Sequence, residues 1–262
     1  MSLTGKSPAE TYKDLLKVIN NNSGIDSTAR VIESGDGSDT ALSLSDRAVG
    51  VKSNTDNTSA FKVQNSSGTT KLSVDTTNNQ VKALGHHVNT QYADFGIAST
   101  LSANYAANTH HPIPFSANNQ ALANQDDITF GTSTDPATTF TTADGASTDA
   151  SLLVPMLWYV PDAISIDAVY GIEAGSNASG DTTRMHLMSY TFTSGSTSAL
   201  TSGTLLAYNS DVTNAGSEQA YLSTFTVNSA DVAGGKVILA FFRGDGVNSD
   251  YSVNIKVKYH LR

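Results

Sequence analysis

Six histidines raise metal binding as the first chemistry to weigh, and four of them form the neighbouring pairs His86-His87 and His110-His111. Successive side chains on an extended chain point to opposite faces, so one pair cannot easily give both rings to one ion. One ring from each pair would have to meet across chains on a three-fold axis, and the spacing favours ordinary loop histidines instead. Asp36-Gly-Ser-Asp39 and Asp245-Gly-Val-Asn-Ser-Asp250 resemble pieces of calcium loops. Neither carries the full alternation of carboxylates closed by a bidentate Glu, so both read as turns. No metal and no cofactor is expected.

Nucleophilic and phosphate chemistry leave no trace: the chain has no Gly-x-Ser-x-Gly, no His-Glu-x-x-His and no glycine-rich phosphate loop. Asp126, Asp127, Asp162, Asp167, Glu173 and Asp181 supply carboxylates, but no spacing selects two of them as a glycosidase pair. Asp167, in a strand pattern, must face outward or find a partner. The chain therefore reads as a non-enzyme. Trp158, Tyr159, Tyr190, Tyr208 and Tyr221 would suit a sugar-stacking platform if exposed. Trp158, however, sits in the apolar run Met156-Leu-Trp-Tyr-Val160, which favours a core position.

Composition narrows the partners. The net charge is −9 over 262 residues, and residues 91–262 hold six basic against fifteen acidic side chains, whereas residues 1–90 balance at nine and nine. An acidic C-terminal part argues against phosphate-directed nucleic-acid binding. There is no cysteine, hence no disulfide or thiolate framework. No apolar run is long enough to span a bilayer. The first ten residues lack the apolar core of a signal peptide, so synthesis and folding in a cytosol are expected.

The elements that must position these residues are mainly β. One short helix is predicted near the N-terminus, with Ser7 as cap, Pro8 at the first helical position and Tyr12, Leu15, Leu16 and Ile19 forming a stripe widened by Val18. Asn20 to Gly24 should end it. So short a helix needs a partner for its stripe, either its own chain or another one; docking on a partner is preferred, because little sequence nearby can form a core for it. Residues 25–90 hold short strand signals separated by Asn, Asp, Ser, Thr and Gly turns. Leu42 with Leu44, Val49 with Val51, Phe61 with Val63, and Leu72 with Val74 supply two inward residues each. Faces that thin bury little in one copy, so this segment is expected to be stabilised by identical faces of other chains in a homo-oligomer, a trimer first of all.

Residues 91–262 should form a C-terminal antiparallel β-sandwich of jelly-roll type. Its strongest signals are Lys236–Phe242 and Tyr251–His260. In the latter, Tyr251, Val253, Ile255, Val257 and Tyr259 share one face, and Ser252, Asn254, Lys256, Lys258 and His260 the other.

Several segments resemble a known group. Thr11-Tyr-Lys-Asp-Leu-Leu16, Gly35-Asp-Gly37 followed by Ala41-Leu-Ser-Leu-Ser45, Phe61-Lys-Val-Gln-Asn65 and Leu72-Ser-Val-Asp-Thr-Thr-Asn78 are similar to a recurring module of structural proteins of tailed bacteriophages, particularly those of marine bacteria. Asn89-Thr-Gln-Tyr-Ala-Asp-Phe-Gly96 is similar to the same module. Trp158-Tyr-Val-Pro-Asp162, Asn214-Ala-Gly-Ser-Glu-Gln-Ala-Tyr221 and Val247-Asn-Ser-Asp-Tyr251 resemble their distal domain. The resemblance implies a virion component, usually trimeric, that needs no cofactor and transfers no catalytic residue. The expectation is an appendage whose residues 1–24 dock on other virion proteins, whose residues 25–90 join the chains, and whose residues 91–262 are displayed toward a host-surface glycan or protein. A capsid decoration protein without ligand and a glycan-cleaving tailspike are the alternatives.

Overall fold

The computed structural model describes residues 16–21, 23–97, 106–116, 128–143, 150–176, 178–216, 218–246 and 250–262. The chain is mainly β and divides into two compact units, residues 1–88 and 89–262.

The first unit contains two four-stranded antiparallel sheets. One is β1 (Leu16–Val18), β2 (Arg30–Ser34), β3 (Asp39–Leu44) and β4 (Val49–Val51); the other is β5 (Phe61–Gln64), β6 (Thr70–Asp75), β7 (Gln80–Ala83) and β8 (His86–His87). In each, strands follow one another through tight polar turns. Asn65, for example, accepts from the amide of Thr69 at 2.8 Å across the β5–β6 turn, where Gly68 takes a positive φ of 81°. Of the helix predicted for the N-terminus, the part before residue 16 lies outside the described residues, and its last part is not helical. Leu16–Val18 is a strand whose residues pair with Ser34, Glu33 and Ile32, while Tyr12 and Leu15 lie outside the described residues. Leu16 and Val18 also satisfy a period of two, and a ladder to β2 overrides the local helical spacing.

The second unit contains β9 (Thr90–Ile97), β10 (His111–Ile113), the one-turn helix α1 (Ala150–Leu153), β11 (Trp158–Val160), β12 (Ile164–Ser176), β13 (Thr182–Phe192), β14 (Leu200–Tyr208), β15 (Val212–Thr213), β16 (Glu218–Thr224), β17 (Thr226–Val227), β18 (Asp231–Val232), β19 (Lys236–Gly244) and β20 (Asp250–Leu261). They form two antiparallel sheets. One runs β16-β12-β20-β9, with β18 on β12; the other runs β10-β19-β13-β14-β17, with β11 on β19 and β15 on β13.

Alternation assigns the faces. Tyr251, Val253, Ile255 and Val257 of β20 are buried, as are their neighbours Ala93, Phe95 and Ile97 on β9. They share one core with Met185 and Leu187 of β13 and with Ile238, Ala240 and Phe242 of β19, so the two sheets face each other across it. The other face of β19 is apolar too: Val237, Leu239 and Phe241 join Met188 and Tyr190 in a second core. That core is covered by Ile128, Phe130 and Phe140 from irregular segments and by Leu153 and Met156 from α1 and the following 3₁₀ turn (Val154–Met156).

Gly203 on β14 shows how tightly this second cover is laid. Its amide donates to the Thr138 carbonyl at 2.8 Å, and a Cβ there would stand 2.7 Å from both the Thr138 Cα and the Tyr190 ring. Backbone on one side and a buried ring on the other leave no room to yield. Gly203→Ala is therefore expected to lower stability by about 1–3 kcal/mol through overpacking. In a denaturant titration the midpoint should fall with an unchanged slope.

Candidate functional site

Two kinds of site stand out: uncovered apolar sheet faces, and polar side chains sealed inside the second unit. In the first unit, register brings the sequence-predicted assembly residues together. Leu42 lies opposite Val51 and Leu44 opposite Val49 in one sheet; Phe61 lies opposite Val74 and Val63 opposite Leu72 in the other, with Val81 beside Val74. Val49 is 69% exposed, and Leu42, Val51, Phe61, Val63 and Val81 are exposed as well, while Leu44, Leu72 and Val74 are half-buried. A groove of about 600 Å³ runs between Val49 and Val51 of the first sheet and Phe61 and Val74 of the second. Among the described apolar residues of this unit, Ile32 alone is fully buried. Leu16 and Ile19, predicted as docking residues, are exposed.

In the second unit the polar groups gather at one end of the inter-sheet core. Inward alternation on β12 places Glu173 between the sheets, 1% exposed. Thr183 of β13 donates to its Oε1 at 2.7 Å, and Oε2 has no hydrogen-bond partner among the described residues. Burial raises the Glu173 carboxyl to about 7, the Thr183 hydrogen bond opposing the shift. The Thr183 hydroxyl also lies 3.3 Å from the Val212 carbonyl. Asn214, two residues on, is 1% exposed, and neither polar atom of its side-chain amide has a partner among the described residues. Its backbone clamps the turn that enters β13: the Asn214 amide donates to the Asp181 carbonyl at 2.9 Å, and Gly180, at a positive φ of 89°, donates to the Asn214 carbonyl at 2.8 Å. The Tyr251 hydroxyl donates to Asp181 Oδ2 at 2.7 Å. Asp245 accepts from the Thr182 amide at 2.6 Å, and a Cβ on Gly246 would fall 1.9 Å from Asp181 Oδ2, so only glycine fits there without moving that carboxylate.

The histidines correct the sequence reading in part. His110 and His111 are fully buried, His111 in β10 opposite Phe242. Their neighbours are apolar strands that close over them, something a count of loop-forming residues does not register. His110 Nε2 donates to the Ser133 carbonyl at 2.9 Å, which leaves its Nδ1 unprotonated in the neutral ring. Its ring stands edge-on to His186, with centroids 4.8 Å apart. Burial, with the charges of His110 and Arg184 adding to it, pushes His186 down to about 3; burial likewise lowers His110. Sequence reading missed His186, which lies in the strongly apolar run of β13. Asp167 finds its partner at a bulge in β12: its Oδ1 lies 3.0 Å from Nδ1 of His260, which is buried rather than on a solvated face.

The aromatic residues do not assemble a platform. Trp158 is core, stacked on Phe115 at 5.7 Å, and Tyr190 is buried with its hydroxyl on the Ala137 carbonyl at 2.8 Å. Tyr208 and Tyr221 are half-buried, and Tyr159 alone of the five is exposed. Of the six carboxylates named above, Asp126 and Asp127 lie outside the described residues; Glu173 and Asp181 share one end of the core, while Asp162 and Asp167 do not join them.

No protein-family model matches the chain, and no curated protein does. Among solved structures it is similar to an aminopeptidase from the marine sediment archaeon Thaumarchaeota archaeon, at 7% identity and a TM-score of 0.31. The match covers 72% of this chain and 40% of that one, so the chain spans well under half the length of that protein, and a likeness so low carries no argument about activity.

Glu173 yields a pH signature. An acid raised from 4.5 to about 7 on folding binds its proton more tightly in the native state, so its contribution is intact below pH 4.5 and is lost as pH climbs through about 7. The loss amounts to roughly 3 kcal/mol. Glu173→Gln should flatten this decline and leave the variant more stable than the wild type at pH 8 in metal-free buffer. Chemical denaturation at pH 5 and pH 8 reads the difference.

Proposed function

We propose that this chain is a homo-oligomeric structural protein of a bacteriophage virion, fibre-like in build. Its N-terminal segment to about residue 24 docks on other virion proteins, and its residues 25–90 join the copies, most simply as a trimer. The observation that carries the reading is that the described residues of the first unit form no core. Two single-layer sheets expose Leu42, Val49, Val51, Phe61 and Val63, and only Ile32 is buried among the described apolar residues. Exposed apolar faces of this kind mark interaction surfaces, and identical faces from neighbouring copies would remove them from water at about 25 cal/mol per Å².

The second unit is the displayed part, and we read it as a β-sandwich of jelly-roll type. If β9, β10, β12, β13, β14, β16, β19 and β20 are numbered one to eight, the sheets run 1-8-3-6 and 2-7-4-5, the order of two interleaved Greek keys. Its outer face on β12 and β16 supports the same oligomer: Tyr170, Ile172 and Leu222 are exposed there, Leu222 by 74% and directly opposite Ile172. Contact with a host-surface glycan or protein is the role this unit is assigned. No helix among the described residues is long and apolar enough to cross a membrane, and the acidic second unit does not favour nucleic acid.

Sedimentation equilibrium of the full chain at micromolar concentration should give a trimer. The double substitution Val51→Asp with Phe61→Asp should give monomers whose second unit still melts cooperatively. A wild-type monomer would overturn the proposal.

A further inference from the structure

The polar end of the second unit holds buried polar atoms that the described residues leave unsatisfied. Glu173 and Asn214 are each 1% exposed, and Glu173 Oε2 and both polar side-chain atoms of Asn214 lack partners among the described residues. Orphaned buried polar atoms cost about 1–3 kcal/mol each, more when charged, and a native structure retains them where something else completes their bonding. Alternation and pairing put these groups on one side. Thr183 and Glu173 face each other across the two sheets, Val212 is paired with Thr183, and Asn214 follows Val212 by two residues beside Asp181. The Tyr251 ring lies under Gly175, where a Cβ would stand 2.9 Å from it, and its hydroxyl reaches Asp181. Glu173 is in no ion pair among the described residues.

We propose that this end of the C-terminal unit binds one calcium ion, held by Glu173 Oε2, the Asn214 amide oxygen and the Asp181 carboxylate, with the Val212 carbonyl and water completing the shell. Every donor is oxygen, and two carboxylates match a doubly charged ion. Imidazole and thiolate are absent from the set, which argues against zinc. Calcium accepts an irregular shell of mixed carboxylate, amide and carbonyl oxygens, whereas magnesium demands near-octahedral geometry and keeps more of its water. Asp245 and Gly246 close the same end, Gly246 packing directly on Asp181, so the ion would tie the turn before β13 to the residues that follow β19. This site is independent of oligomer formation by the first unit.

The test uses the full chain after exhaustive treatment with a chelator. Calorimetric titration with calcium chloride should show one ion per chain, and the melting temperature of the second unit should rise with calcium and much less with magnesium. Glu173→Gln keeps the size and the Thr183 hydrogen bond but removes the charge. It should melt cooperatively in chelator and bind calcium at least about 10-fold more weakly. Asn214→Asp adds a carboxylate and should bind more tightly than the wild type. Absence of heat and of a melting shift at about 10 mM calcium, roughly tenfold above the weakest affinities of extracellular calcium modules, would overturn the site. Calcium binding that is unchanged in both variants would overturn it equally, by placing the ion elsewhere.

Discussion

The second unit depends on a strand that is apolar on both of its faces. In β19, Ile238, Ala240 and Phe242 point into the core between the sheets, while Val237, Leu239 and Phe241 point into the second core, and all six are essentially inaccessible. Such a strand is stable only if both faces are covered. The five-stranded sheet covers one. The other requires the irregular segments carrying Ile128, Phe130 and Phe140, which explains why stretches so poor in regular structure are held in place. Phe130 stacks on Phe140 with centroids 4.7 Å apart and meets Phe241 edge-on at the same separation.

Among the described residues of the first unit no strand is buried on both faces. Its turns are well made, with Asp75 accepting from the Asn78 amide at 2.9 Å and Asp26 from the Thr28 amide at 2.8 Å. Both carboxyls are held below the usual carboxylate range, Asp26 by the Arg30 side chain first and Asp75 by Asn78. Local hydrogen bonds of this kind fix the course of the chain without removing much apolar surface from water. One unit is thus built around two-sided burial and the other around turn chemistry, and the uncovered faces of the latter are the basis for reading the molecule as a subunit of something larger.

Burial also governs the polar residues. His186, Tyr190 and Glu173 are all driven toward their neutral forms because the two core layers exclude water. Tyr190 secures its hydroxyl on a carbonyl. Glu173 secures only one oxygen, at the end of the core where Asn214 is also unsatisfied. The chemical interest of the molecule is concentrated where its packing is least complete.

The mainly β class and the facing of β20 were legible in the sequence, because a period of two in Tyr251, Val253, Ile255 and Val257 follows from backbone geometry alone. So were the thin faces of residues 25–90, since two apolar residues per strand is a count. Leu16 and Ile19 misled because three- and four-residue spacing over so short a stretch also fits a strand, and pairing with β2 decided it. His186 and Asn214 could not be singled out, and His110 and Glu173 stood in the sequence only as a loop histidine and one carboxylate among six. They lie far apart in the chain or inside ordinary strand patterns, and what makes them unusual is that polar groups so deeply buried are only partly hydrogen-bonded by the described residues. That is a property of how the sheets and their cover close over these side chains, which local sequence does not encode.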